Sequence, residues 1–241
     1  MLLRRISVHV QQQNWFAVGI DFIIVVIGVY LGIQVSNWND AVRLQSLEDS
    51  YVLRLSDELR LNIDDFAEQV RFAEQSRDVL REFLEALEDS TTSDEALILH
   101  TRNYFSQGVF LAKFRPSHAT FDELKSTGNL DIIEDKELRE QLVVLHLYFD
   151  DGVDIFDTNN SWVLQSEDVV YLSFDALRYD SRTTDLFSEQ TAAESAKQVR
   201  ANRELLTRHA ALHFWLKDRA VEVLTEASKK TESVLRRINS E

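Results

Sequence analysis

The stretch WFAVGIDFIIVVIGVYLGIQV, Trp15 to Val35, limits what this chain can fold into more than any other segment. It holds one charged residue, Asp21, and one amide, Gln34. As an α-helix rising ~1.5 Å per residue it covers about 31 Å, the hydrocarbon thickness of a bilayer. Trp15 and Trp38 flank it, and indole rings favour the headgroup region. A signal-peptide core is shorter, about 7–15 residues, and ends in a small-x-small site that the following QVSNWND does not offer. The expectation is an uncleaved transmembrane helix over residues 15–35.

Its flanks give the orientation. The first 14 residues carry Arg4 and Arg5 and no acid, whereas Asp40, Glu48, Asp49, Asp57 and Glu58 crowd the other side. The positive-inside rule then places the N-terminus in the cytoplasm and residues 36–241 outside it. Within residues 2–13, Leu3, Ile6 and Val10 share one helical stripe, which suits a short helix lying in the cytoplasmic interface. Three segments follow: an interfacial piece over 1–14, the span over 15–35, and an outer domain over 36–241.

Two stretches, NWFAVGIDFIIVVIGVYLGIQVSNWND (Asn14 to Asp40) and FDELKSTGNLDIIEDKELREQL (Phe121 to Leu142), resemble a bacterial family of single-span membrane proteins that carry a domain of unknown function. The resemblance implies an inner-membrane location with a periplasmic outer domain, and it brings no catalytic residues. The span is also similar to the anchors of the ExbD, TolR and MotB family, with an Asp early in the helix. That likeness implies a coupling-proton role for Asp21 alone, because the outer domain here lacks their mixed α/β pattern.

The outer domain reads as helical. One proline and six glycines in 241 residues are too few for a turn-rich sandwich or barrel. Residues 41–89 contain neither, and Leu44, Leu47, Tyr51, Leu55, Leu59, Ile63, Phe66, Val70 and Ala73 recur at steps of three or four, a core-facing stripe. Only Ser36–Asp40 separate this helix from the span, which it can continue. Ser93 or Thr92 can cap a short helix near 94–105, and Ser117, after the lone Pro116, can cap Ala119–Ser126. Gly128 is placed to end that helix. Asp131 or Glu134 opens another, with Leu138, Leu142, Leu145, Phe149, Val153 and Phe156 inward. Residues 173–190 read as a loop, and one final helix covers 191–239. The fold class expected is all-α: an up-and-down bundle of three long and two short helices.

Few residues point to chemistry. Zero cysteines exclude disulfides, thiolate zinc sites and iron–sulfur clusters, and a net charge of −15 opposes binding to nucleic-acid phosphates. No G-x-S-x-G, P-loop or G-x-G-x-x-G occurs. Asp150, Asp151 and Asp154 lack the ligand order of a calcium loop and read as a solvated face. His209 and His213 stand four apart on a helix, but HAALH has no zincin glutamate and no third ligand is identifiable, so neither a metal site nor a cofactor is expected.

The span carries the stronger signal. At ~100° per residue, Asp21, Gly28 and Gly32 fall within about 40° of one another, and Gly28 and Gly32 form a G-x-x-x-G pair that admits a second helix backbone. The expected role is that of a non-catalytic membrane protein, anchored in the bilayer, whose outer bundle binds a second copy or another membrane protein. An ion-driven complex with Asp21 titrating, and a ligand-sensing bundle, are the alternatives. A reporter that is active only outside the cytoplasm, fused after Glu241, is expected to be active. An inactive fusion reverses the topology.

Overall fold

The computed structural model describes residues 15–172 and 191–240. Arg4, Arg5 and the interfacial piece over 1–14 lie outside the described residues, as does the loop expected over 173–190. Among the described residues the chain is helical and contains no strand. The chain divides into two compact units between Tyr51 and Val52.

The first helix, α1, runs Trp15–Glu88, so span and outer helix are one element. Ser36–Asp40 contain no glycine or proline to interrupt it. From Val52 onward α1 turns Leu55, Leu59, Phe66, Ala73, Leu80 and Phe83 inward, each fully buried. Leu44 and Leu47, expected on that stripe, are exposed. They precede Val52, where the second unit begins.

The shorter helices show where local rules hold and where distant side chains override them. Ser93 caps α2 (Asp94–Asn103), its hydroxyl accepting from the Ala96 N–H at 3.2 Å. A single π-helical turn, Tyr104–Gly108, follows directly. Next comes α3, Ala119–Ser126, but Ser117 does not cap it. The Ser117 N–H donates to Asn62 Oδ1 at 2.8 Å, and its carbonyl accepts from Asn62 Nδ2 at 3.0 Å. The early N–H of Thr120 goes instead to Glu58 Oε2 at 2.8 Å, so α1 supplies the cap. At the other end Asn129 donates to the Leu124 carbonyl and Gly128 to that of Lys125, with Gly128 at φ +71°, the left-handed position where glycine costs least.

After a 3₁₀ turn at Leu130–Ile132 comes α4, Lys136–Leu172. Its cap is Asp135, accepting from Glu137 N–H at 2.9 Å, rather than Asp131 or Glu134. Asp135 is fixed from a distance by Arg237, at 2.6 Å. The single final helix expected over 191–239 is two: α5, Ala192–Ala201, opened by a Thr191–Glu194 capping box, and α6, Arg203–Ile238. Asn202 makes the break by donating from both its N–H and its side-chain amide to the Gln198 carbonyl.

Within the second unit α4 packs along α6, and α2 against α5. Phe66 stacks on Phe114 at 5.2 Å, with Phe149 and Phe156 against the same ring. A second cluster joins Leu80, Phe83, Ile98, Tyr104, Val199 and Leu206.

Gly152 on α4 is required by the first cluster, since a Cβ there would stand 2.5 Å from Phe114 Cε1. The Phe114 ring is locked by its aromatic neighbours and cannot swing aside. Gly152→Ala should therefore destabilise the protein by ~1–2 kcal/mol in urea unfolding, the overpacking outweighing alanine's helix preference. An unchanged or raised midpoint contradicts this packing.

His146 on α4 is buried, stacked on Phe121 at 3.7 Å, and its Nδ1 meets the Leu142 carbonyl at 2.8 Å. Burial holds its pKa below the usual imidazole value, against the Leu142 bond, and nearby His118 pushes the same way as burial. The unfolded chain thus binds a proton near pH 6.5 that the folded chain refuses until lower pH. Stability should fall as pH drops below about 6.5, and His146→Gln should flatten that decline in melting temperature between pH 7.5 and 5.

Candidate functional site

Two regions collect the residues with functional potential. The first is the N-terminal part of α1. Its most apolar 18-residue window has a mean hydropathy of 2.3, and none of it is buried within the chain. Asp21, Gly28 and Gly32 are exposed on this one helix, and a Cβ built at Gly28 or Gly32 would meet no atom within 4 Å. The G-x-x-x-G face is therefore open to close approach by another helix. Trp38 is 70% exposed, and Trp15 is the first residue of α1.

The second region is inside the unit that begins at Val52. On α6, His209, His213 and Lys217 follow one another at four-residue steps and form a buried polar line along an otherwise apolar face. Glu167 reaches them from α4: its Oε1 is 3.1 Å from His213 Nε2 and 3.7 Å from His209 Nε2. On the other side of His209, the Tyr104 hydroxyl hydrogen-bonds to Nδ1. Tyr104 is itself held by stacking on Phe83, 4.3 Å between ring centres. Lys217 Nζ donates to the Phe110 carbonyl at 2.7 Å.

Burial dominates the electrostatics. It pushes His209 down to about 4, helped by His213 and opposed by Glu167, so His209 is neutral at pH 7. It also pushes Lys217 down to about 8, against the attraction of Glu167. Two ring nitrogens, His209 Nε2 and His213 Nδ1, have no hydrogen-bond partner. Two imidazoles and one carboxylate at these distances can hold a proton between them or a divalent cation.

The sequence shows the histidine pair but not its third member. Glu167 sits between Val163 and Val170, which are buried on the continuation of the stripe that includes Phe149 and Phe156. An acid at a core position was the available signal. Lys217 carried the same signal beside Leu216. Comparison with known families, curated proteins and solved structures finds no match to this chain, so both regions are read from their own geometry.

Proposed function

We propose that this protein is a single-span membrane protein of the bacterial inner membrane whose periplasmic helical bundle is a binding module, not an enzyme. The observation that carries the reading is the N-terminal part of α1, which is strongly apolar and wholly exposed within its own chain. In water such a surface is costly, about 25 cal/mol per Å². A bilayer removes that cost, and a helix satisfies its own backbone there. The Arg4/Arg5 asymmetry supports an N-in orientation, and the resemblance of Asn14–Asp40 to bacterial single-span proteins supports the location.

Association is the proposed mode of action. Within lipid, helices meet where small residues let backbones approach, and Gly28 and Gly32 offer that face with Asp21 on the same side. An acid at this depth belongs against protein or water rather than acyl chains. The occupant proposed is a second copy of the helix or a span of a membrane partner, with the outer bundle extending the interface.

Replacing Gly28 and Gly32 together by Ile should weaken association in membranes about tenfold or more, ~1.4 kcal/mol, read by cross-linking or energy transfer between labelled chains. Asp21→Asn, which keeps shape and hydrogen bonding, should leave association intact. Unchanged association in the Gly28/Gly32 double variant rejects the interface. A lost phenotype in Asp21→Asn with intact assembly favours the ion-coupled alternative instead.

A further inference from the structure

We propose that Glu167, His209 and His213 form a binding site for one divalent transition-metal ion of the zinc class. The three donor atoms lie within 4.8 Å of one another. An ion with tetrahedral bonds of ~2.0–2.1 Å sets neighbouring donors about 3.3 Å apart, and the measured separations from Glu167 Oε1, 3.1 and 3.7 Å, straddle that value. The donor atoms of the two histidines lie within 4.8 Å of each other, so the two rings draw together when the set closes around an ion.

Hydrogen-bond accounting supports a cation here. When the Tyr104 oxygen accepts the Nδ1 proton of His209, Nε2 is left as a bare lone pair. That nitrogen belongs to a side chain 2% exposed, has no partner, and faces the Glu167 carboxylate, another acceptor, at 3.7 Å. Two buried acceptors face to face cost free energy unless something positive stands between them. His213 Nε2–H donates to the same oxygen at 3.1 Å, and an ion would take the place of that proton, which can move to the unpartnered Nδ1. A metal ion would use all three lone pairs together. Tyr104 then supplies the outer hydrogen bond that fixes the tautomer and orientation of a ligating histidine. Lys217, the nearby cation on the same helix line, is engaged with the Phe110 carbonyl.

The donor set selects the metal. Calcium and magnesium take oxygen ligands, whereas two imidazoles with a carboxylate suit zinc and its neighbours in the first transition row. Three protein ligands leave a coordination position for water or a further group. This inference is independent of the reading of the membrane helix.

The test uses full-length protein in mild detergent, without a histidine tag, stripped by chelator and titrated with Co²⁺ and then Zn²⁺. One Co²⁺ per chain with visible ligand-field bands is expected, displaced by one Zn²⁺. Glu167→Gln and His213→Gln should each weaken binding at least tenfold. Tyr104→Phe should keep the stoichiometry and lower affinity about 10–100-fold, the range for outer-shell partners. Zn²⁺ should also raise the wild-type melting temperature. Absence of binding by well-folded wild type, or wild-type affinity in both ligand variants, overturns the site. Circular dichroism checks folding. Should a ligand variant lose its helix signal, the Tyr104→Phe comparison and the zinc-dependent melting shift decide, and failure of both rejects the proposal.

Discussion

The inward side chains of α1 hold the stretch from Tyr104 to the start of α3 in place. Glu58 and Asn62 bind the backbone at the start of α3, Gln69 accepts from the Lys113 N–H at 2.8 Å, and Phe66 stacks on Phe114. Further along, Leu80 lies against Gly108 and Phe83 stacks on Tyr104. Residues 109–118, between the π turn and α3, form no helix, so their backbone donors need partners from elsewhere. One helix supplies them through Glu58, Asn62 and Gln69. A polar side chain that satisfies a backbone group in a buried setting is worth more than the same bond in water, and losing it leaves an orphan. This is why α1 keeps a buried glutamate and a buried asparagine within an apolar stripe.

Glu167, His209 and His213 do not share that explanation. Glu58 and Asn62 have backbone partners that need them. Glu167, His209 and His213 chiefly have each other. Hydrophobic residues of similar volume would fill the same space, and replacing buried ionisable groups in that way is often neutral or stabilising. Strongly shifted groups such as His209 concentrate where a protein binds or reacts. The contrast between the two sets is physical. In one, the polar group answers to the backbone; in the other, it answers to a second set of side chains and leaves two nitrogens unpartnered.

Periodicity and composition made the helical class legible, along with the apolar run at Trp15–Val35 and the inward faces of α1, α4 and α6. These signals are local and repeat along the chain. Ser93 and Gly128 were legible for the same reason, since a cap and a left-handed glycine act within a turn. The failures have separate causes. Ser117, Asp131 and Glu134 are sound caps by local rules, yet Asn62, Glu58 and Arg237 come from distant parts of the chain and decide the geometry. Asn202 stops a helix that every neighbouring residue would continue, because its amide competes for the carbonyl of Gln198. Leu44 and Leu47 keep the period of the core stripe but not its burial, which period alone cannot distinguish. Glu167 was invisible as a partner of His209 because no spacing rule links α4 to α6.

These irregularities matter for the polar cluster. Tyr104 sits at the first position of the π turn, and π turns inserted in helices often mark functional positions. Asn202 ends α5 two turns before His209, letting α6 take its own course. Val170, Tyr104, Leu206 and Ala210 share one apolar cluster, so the residues flanking Glu167, His209 and the π turn are packed as one body. Tyr104 keeps the α-helical bond from its N–H to the His100 carbonyl, so the π turn redirects only the residues after it, Phe105 to Gly108. A continuous α5–α6 would not allow α5 to lie against α2 while α6 lies along α4. A tyrosine at the end of α2, two histidines of α6 and a glutamate of α4 thus meet at one point of the packed unit.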